Sequence, residues 1–133
     1  MQKHLFVYGT LMTAADGWLI GKAQRARLQR EGTSLGDATI NGRLYDLKRY
    51  PALVASTNET AHGEVFRLAN PLNSFVWLDR YEGVVPGRET NEYERVVRPA
   101  LLASGEEISA WVYLYLADVP LKAHIADGRW IPR

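Results

Sequence analysis

The chain has 133 residues, 47% of them apolar and 23% charged, which is enough to fill one hydrophobic core and argues against disorder. Sixteen Lys and Arg face fifteen Asp and Glu, a formal charge of +1 that supplies no electrostatic attraction for nucleic acid or an anionic membrane. The absence of cysteine removes disulfides, thiolate metal sites and thiol nucleophiles from consideration and suits a reducing compartment.

Met1-Gln2-Lys3-His4 runs directly into the apolar Leu5-Phe6-Val7-Tyr8, with no charged leader and no separate signal stretch. The longest strongly apolar run, from Ala110 to Ala117, falls far short of the ~20 residues a membrane helix needs. The expectation is one cytoplasmic domain spanning 1–133.

Leu5 to Tyr8 reads as a short buried strand stopped by Gly9. A loop over 10–17 follows, and then a helix from Trp18 to about Arg30, weakened by Gly21. Lys22, Arg25, Arg27 and Arg30 make this stretch basic, which is read as a solvated helix face rather than a nucleic-acid surface. After 32–37 the pattern becomes strand-like, with Ala38 and Ile40 alternating. Gly42 interrupts, and Leu44 to Leu47 resume on shifted parity, which predicts a bulge or sharp bend. Tyr50-Pro51-Ala52-Leu53-Val54 leads through an extended pre-proline position into another strand. Asn58-Glu59-Thr60 is read as turn chemistry. Gly63 to Leu68 is a strand with Glu64, Phe66 and Leu68 on one face.

The best-marked helix follows, with Asn70 as cap, Pro71 at the first position and Gly83 just past the end. Leu72, Phe75, Leu78 and Tyr81 are its expected apolar face. Past a loop holding Pro86 and Gly87, Tyr93–Ala103 and Ile108–Leu116 form a hairpin through Ser104-Gly105-Glu106-Glu107. Apolar or aromatic residues occupy both faces of the second strand, Ala110, Val112 and Leu114 on one and Trp111, Tyr113 and Tyr115 on the other. That strand should be covered on both sides. The tail should hold a short helix and a docked Trp130. Together these elements make a mixed α/β fold.

Familiar catalytic motifs are missing. His4, His62 and His124 are scattered, no serine sits in a nucleophile elbow, and Gly21-Lys22 lacks the rest of a phosphate loop. Two features remain. In Tyr8-Gly9-Thr10-Leu11, glycine permits close backbone approach, and successive amide N–H groups can hold a carboxylate; the competing reading, which the residues alone favour, is an ordinary tight turn. Glu82 ends the second helix, where the negative end of the dipole disfavours a carboxylate and raises its pKa. An aromatic wall from Trp111, Tyr113 or Tyr115 would desolvate it further, as suits a general base that later returns its proton. The competing reading is an exposed glutamate at a frayed helix end.

Taken together, Phe6-Val7-Tyr8-Gly9-Thr10-Leu11, Tyr50-Pro51-Ala52-Leu53-Val54, His62-Gly63-Glu64-Val65-Phe66, Leu78-Asp79-Arg80-Tyr81-Glu82-Gly83 and Tyr93-Glu94-Arg95 resemble, in order, the motifs of the gamma-glutamylcyclotransferase-like superfamily. Thr10 makes the chain most similar to gamma-glutamylamine cyclotransferases. The resemblance implies a small barrel-like mixed sheet flanked by helices, an α+β fold. It also implies cofactor-free closure of a gamma-glutamyl group to 5-oxoproline with release of an amine. By the same resemblance, Glu82 is the acid/base, and Tyr8, Gly9, Thr10 and Leu11 hold the substrate's α-carboxylate. Tyr113 lies on the strand that lines the pocket. The expected partner is a small gamma-glutamyl molecule, with no metal, nucleic acid or membrane; the oligomeric state is open. Ten residues separate Glu82 from Tyr93, among them Arg88, Glu89 and Glu92, and this stretch is a candidate part of the leaving-group pocket. The alternative function is a non-catalytic gamma-glutamyl or amino-acid binding domain.

Overall fold

A computed structural model describes residues 1–85, 87, 88 and 91–130. Ten elements beyond short turns follow in order: β1 (His4–Val7), α1 (Lys22–Glu31), β2 (Gly32–Asn41), β3 (Arg43–Asp46), β4 (Pro51–Val54), β5 (Thr60–Leu68), α2 (Pro71–Tyr81), β6 (Tyr93–Leu102), β7 (Glu107–Tyr115) and β8 (His124–Ile125). Five strands close a barrel in the order β1-β5-β2-β6-β7, and β4-β3-β8 form a separate three-stranded sheet. The α+β, barrel-like expectation holds. Pro86 and Glu89 lie outside the described residues.

Alternation along the strands sorts side chains into two cores. Phe6, Tyr8, Ile40, Val65, Val112 and Leu114 join a cluster drawn from the barrel strands and the small sheet. Their neighbours Leu5, Val7, Phe66, Leu68 and Tyr113 join a second cluster with Leu28 of α1 and Phe75 and Leu78 of α2. β7 therefore feeds both cores, as its two apolar faces require, and it pairs with β6 on one side and β1 on the other. Glu64 shares the face of Phe66, and its buried carboxylate accepts bonds from Thr13 N, Thr13 Oγ1 and Ser34 Oγ.

Several boundaries differ from the sequence reading. The first helix starts at Lys22, because Gly21 adopts φ 75° and acts as its N-cap; 18–21 is turn. Residues 32–37 already belong to β2, whose polar start hides its pairing with β5. The bulge falls between Ser34 and Gly36, whereas Gly42 marks the bend where the chain leaves the barrel for the small sheet. In α2 the Asn70 side chain accepts from Asn73 N at 3.4 Å, and the marked ends hold. Leu72, however, is exposed, and the buried face is Ser74, Phe75, Trp77 and Leu78. The two helices are clamped by Glu31, which accepts from Ser74 Oγ at 2.7 Å and Trp77 Nε1 at 2.9 Å. Trp130 is buried against Trp18, ring centroids 4.9 Å apart.

Candidate active site

β1 ends at Val7, and the chain turns sharply, Met12 N donating to Gly9 O at 3.0 Å. Glycine is required at position 9 by proximity: an added Cβ would stand 2.7 Å from Pro51 Cδ. Gly9→Ala should therefore push the loop off the start of β4. We expect a loss of roughly 1–3 kcal/mol of stability in urea unfolding, as for overpacking, together with weaker substrate binding.

Each neighbouring residue of the loop is tethered. Tyr8 Oη donates to the carbonyl of Tyr113 at 2.5 Å. The Thr10 hydroxyl shares a 2.8 Å bond with Tyr81 Oη, and the Thr10 carbonyl accepts from Arg25 Nη1 at 2.6 Å. Arg25 also donates to the carbonyl of Trp18 at 2.6 Å. It is buried, 2% exposed, so this member of the basic stretch is an internal strut rather than part of a solvated face. With these partners assigned, the amide N–H groups of Gly9, Thr10 and Leu11 donate to no protein acceptor among the described residues. Adjacent unpaired backbone donors are what an anionic oxygen needs.

Glu82 is the C-cap of α2, followed by Gly83 at φ 75°. Burial, and then the neighbouring Asp79 carboxylate, raise its pKa from 4.5 to about 7. The wall around it is phenolic. Tyr8, Tyr93 and Tyr113 all have hydroxyls held well above their usual range, first by burial. Of the aromatic residues expected to desolvate Glu82, Tyr113 lines the cavity. Trp111 instead packs edge-on against Phe75, and Tyr115 against Tyr93.

Behind this wall Asp79 accepts from Tyr113 Oη at 2.6 Å and is forked by Arg95 through Nε at 2.8 Å and Nη2 at 3.2 Å. The Arg95 guanidinium in turn sits 4.0 Å from the ring centroid of Phe75 and 4.4 Å from that of Trp111. Its negative partner is thus fixed beneath Glu82 by packing as well as by charge.

The two features meet in one cavity of about 540 Å³, whose walls include Tyr8, Gly9, Thr10, Leu11, Glu82 and Tyr113. Arg88 and Glu92, from the stretch read as a candidate part of the leaving-group pocket, line it as well. Arg49, Tyr50, Tyr81 and Tyr93 line it too and were not singled out. Tyr93 Oη donates to the Pro51 carbonyl at 3.2 Å, linking β6 to the β4 entrance. Arg25 and Asp79 act from behind. A lone arginine three residues before Leu28 on an otherwise polar helix carries no periodic signal of burial, so Arg25 is invisible without the fold.

The family described as "gamma-glutamyl cyclotransferase, AIG2-like" matches residues 5–132. A gamma-glutamylcyclotransferase family protein of Citrobacter rodentium, ytfP, is 32% identical over 130 residues, covering 97% of this chain and 96% of that protein. Among solved structures, YkqA from Bacillus subtilis superposes with a TM-score of 0.68 at 20% identity, over 98% of this chain and 40% of that longer one. A gamma-glutamyl cyclotransferase superposes with a TM-score of 0.59 at 18% identity, over 87% of this chain and 68% of that one. These two likenesses concern the fold, whereas the family match and the 32% identical relative span nearly the whole chain. The chain belongs to the AIG2-like gamma-glutamyl cyclotransferase family.

Proposed function

We propose that this protein closes the gamma-glutamyl group of a small gamma-glutamyl amine or peptide, releasing 5-oxoproline and a free amine in the cytoplasm. The observation that carries the reading is the meeting, in one cavity, of a glutamate with a pKa near neutrality and three backbone amides that are unpaired among the described residues.

In this reading the amides of Gly9, Thr10 and Leu11 hold the substrate's α-carboxylate, and the phenolic wall excludes water. The α-amine then lies near the γ-carbonyl, and intramolecular attack gains the large effective molarity of a fixed geometry. Glu82 accepts a proton from the α-ammonium, the nitrogen adds to the γ-carbon, and the γ C–N bond breaks. Glu82 returns the proton to the leaving nitrogen, the second proton of the attacking nitrogen passes to the departing amine, which leaves as an ammonium, and Glu82 is regenerated in its ionised form. The nucleophile belongs to the substrate, so no side-chain nucleophile enters.

Incubation with a panel of gamma-glutamyl amines and dipeptides, with 5-oxoproline read by mass spectrometry, tests the reaction. The expected kcat/KM falls tenfold per pH unit below about pH 7, where Glu82 becomes protonated. A flat profile from pH 5 to 8 on an active protein would remove Glu82 from the base role.

A further inference from the structure

We propose that Asp79 is a positioning residue for the base: by taking the hydroxyl proton of Tyr113, it stops that phenol from donating to Glu82. The proposal rests on the cyclotransferase reading for the task of Glu82, and it assigns a role to a side chain that does not itself line the cavity.

The Glu82 carboxylate accepts no hydrogen bond and forms no ion pair among the described residues, although phenols line the cavity around it. A phenol has one proton, and once that proton is committed its oxygen can only accept. Tyr8 gives its proton to the Tyr113 carbonyl at 2.5 Å, Tyr93 to the Pro51 carbonyl at 3.2 Å, and Tyr113 to Asp79 Oδ1 at 2.6 Å. Tyr81 is bonded to the Thr10 hydroxyl. The charge of Glu82 acts on all four phenols, yet three of them have their protons turned away from it. The other ionisable side chains of the cavity, Arg49, Tyr50, Arg88 and Glu92, are exposed and come from the β3–β4 and α2–β6 connections.

A hydroxyl aimed at a carboxylate stabilises its ionised form and makes it a weaker base. With the phenolic protons committed elsewhere, burial and the Asp79 charge act on Glu82 without that opposing bond. Two of the three proton acceptors are backbone carbonyls, fixed by β4 and β7. The third is a side chain, and the fold secures it. Arg95 forks Asp79, and its guanidinium is lodged against Phe75 and Trp111. Without Asp79, the Tyr113 O–H can rotate about its C–O bond with the ring in place, and Glu82 is the remaining anion that acts on it.

Carbon-13 NMR of protein labelled at the glutamate carboxyl carbon reads the Glu82 titration without turnover, its signal assigned by its loss in Glu82→Gln. Asp79→Asn removes the charge but keeps an acceptor for Tyr113, whereas Asp79→Ala removes both. Glu82 should titrate about one to two pH units lower in Asp79→Ala than in Asp79→Asn, the effect of one hydrogen bond to a charged group. Asp79→Ala/Tyr113→Phe should return the midpoint to the Asp79→Asn value, because no hydroxyl is left to donate. Tyr113→Phe alone keeps the Asp79–Arg95 pair intact and tests the same point even if Asp79→Ala does not fold; its midpoint should match wild type. Equal midpoints in Asp79→Asn and Asp79→Ala, or a low midpoint that survives the added Tyr113→Phe, overturn the proposal. So does a raised midpoint in Tyr113→Phe alone, which would mean that Tyr113 already donates to Glu82. The acid limb of kcat/KM for 5-oxoproline formation should follow the same order. If the NMR order holds and no 5-oxoproline forms, the role of Asp79 toward Glu82 stands and the cyclotransferase reading fails. If 5-oxoproline forms and the order fails, the reaction stands and the role of Asp79 falls.

Discussion

Glu82→Gln should slow 5-oxoproline formation by orders of magnitude while making the protein more stable at alkaline pH. The folded state raises the carboxyl's pKa from 4.5 to about 7, so it disfavours the charged form. Below pH 4.5 the group is neutral whether the chain is folded or unfolded, and the substitution changes little. Between pH 4.5 and 7 the unfolded chain loses its proton first, and wild-type stability declines as pH rises. Above pH 7 both states are ionised and the whole cost is present. At about 1.4 kcal/mol per pH unit of displacement, discounted for partial contact with solvent, glutamine should gain about 2 kcal/mol at pH 8. That gain corresponds to several degrees in thermal midpoint. The rate should fall by about 10²–10⁴-fold, the usual contribution of a positioned acid/base. The two measurements check each other. An inactive and destabilised variant would mean that Glu82 supports the fold, and an active one would leave the chemistry without its base.

Arg25→Met should cost about 3 kcal/mol in urea unfolding and lower kcat/KM about 10²-fold. Methionine keeps the packing of the arginine stem but leaves the carbonyls of Thr10 and Trp18 without their donors inside the protein, at about 1–3 kcal/mol for each orphaned group. Thr10 would then be held by the Tyr81 hydroxyl alone, and a displacement of about 1 Å at a positioning loop is enough for such a rate loss. Arg25→Lys should not restore activity, because one ammonium cannot span carbonyls fifteen and seven residues away along the chain. Full activity in a destabilised Arg25→Met would show that the loop keeps its shape without this strut.

The parts of the fold legible in the sequence are those whose signals are local. Asn70, Pro71 and Gly83 fix the ends of α2 because capping and left-handed termination are decided within a turn of chain. Tyr113 and Val112 announce a two-sided strand because alternation survives at short range. Leu72 misleads for an equally local reason: a strict repeat of three drifts about 60° per step around a helix of 3.6 residues per turn. What is missing depends on distant partners. The start of β2 is too polar to read as a strand until β5 supplies its hydrogen bonds, and Gly21 stops α1 through a backbone angle that composition does not reveal. The same division runs through the site. Tyr8–Leu11 and Glu82 are recognisable from their segments, whereas Arg25, Asp79 and Arg49 acquire meaning from neighbours far along the chain.

The bond from Tyr8 to the carbonyl of Tyr113 spans 105 residues, and β1 closes the barrel on β7. On the ribosome, at about 5–20 residues per second, the Tyr8–Leu11 loop is made roughly 5–20 s before the strand that completes its wall. β1 is apolar and must wait with its β7 edge uncovered. Such long-range closure slows folding. A truncated or stalled chain ending before β7 would hold the Tyr8–Leu11 loop and Glu82, yet lack the wall that brings them together. The cavity therefore closes only after β7 has been made.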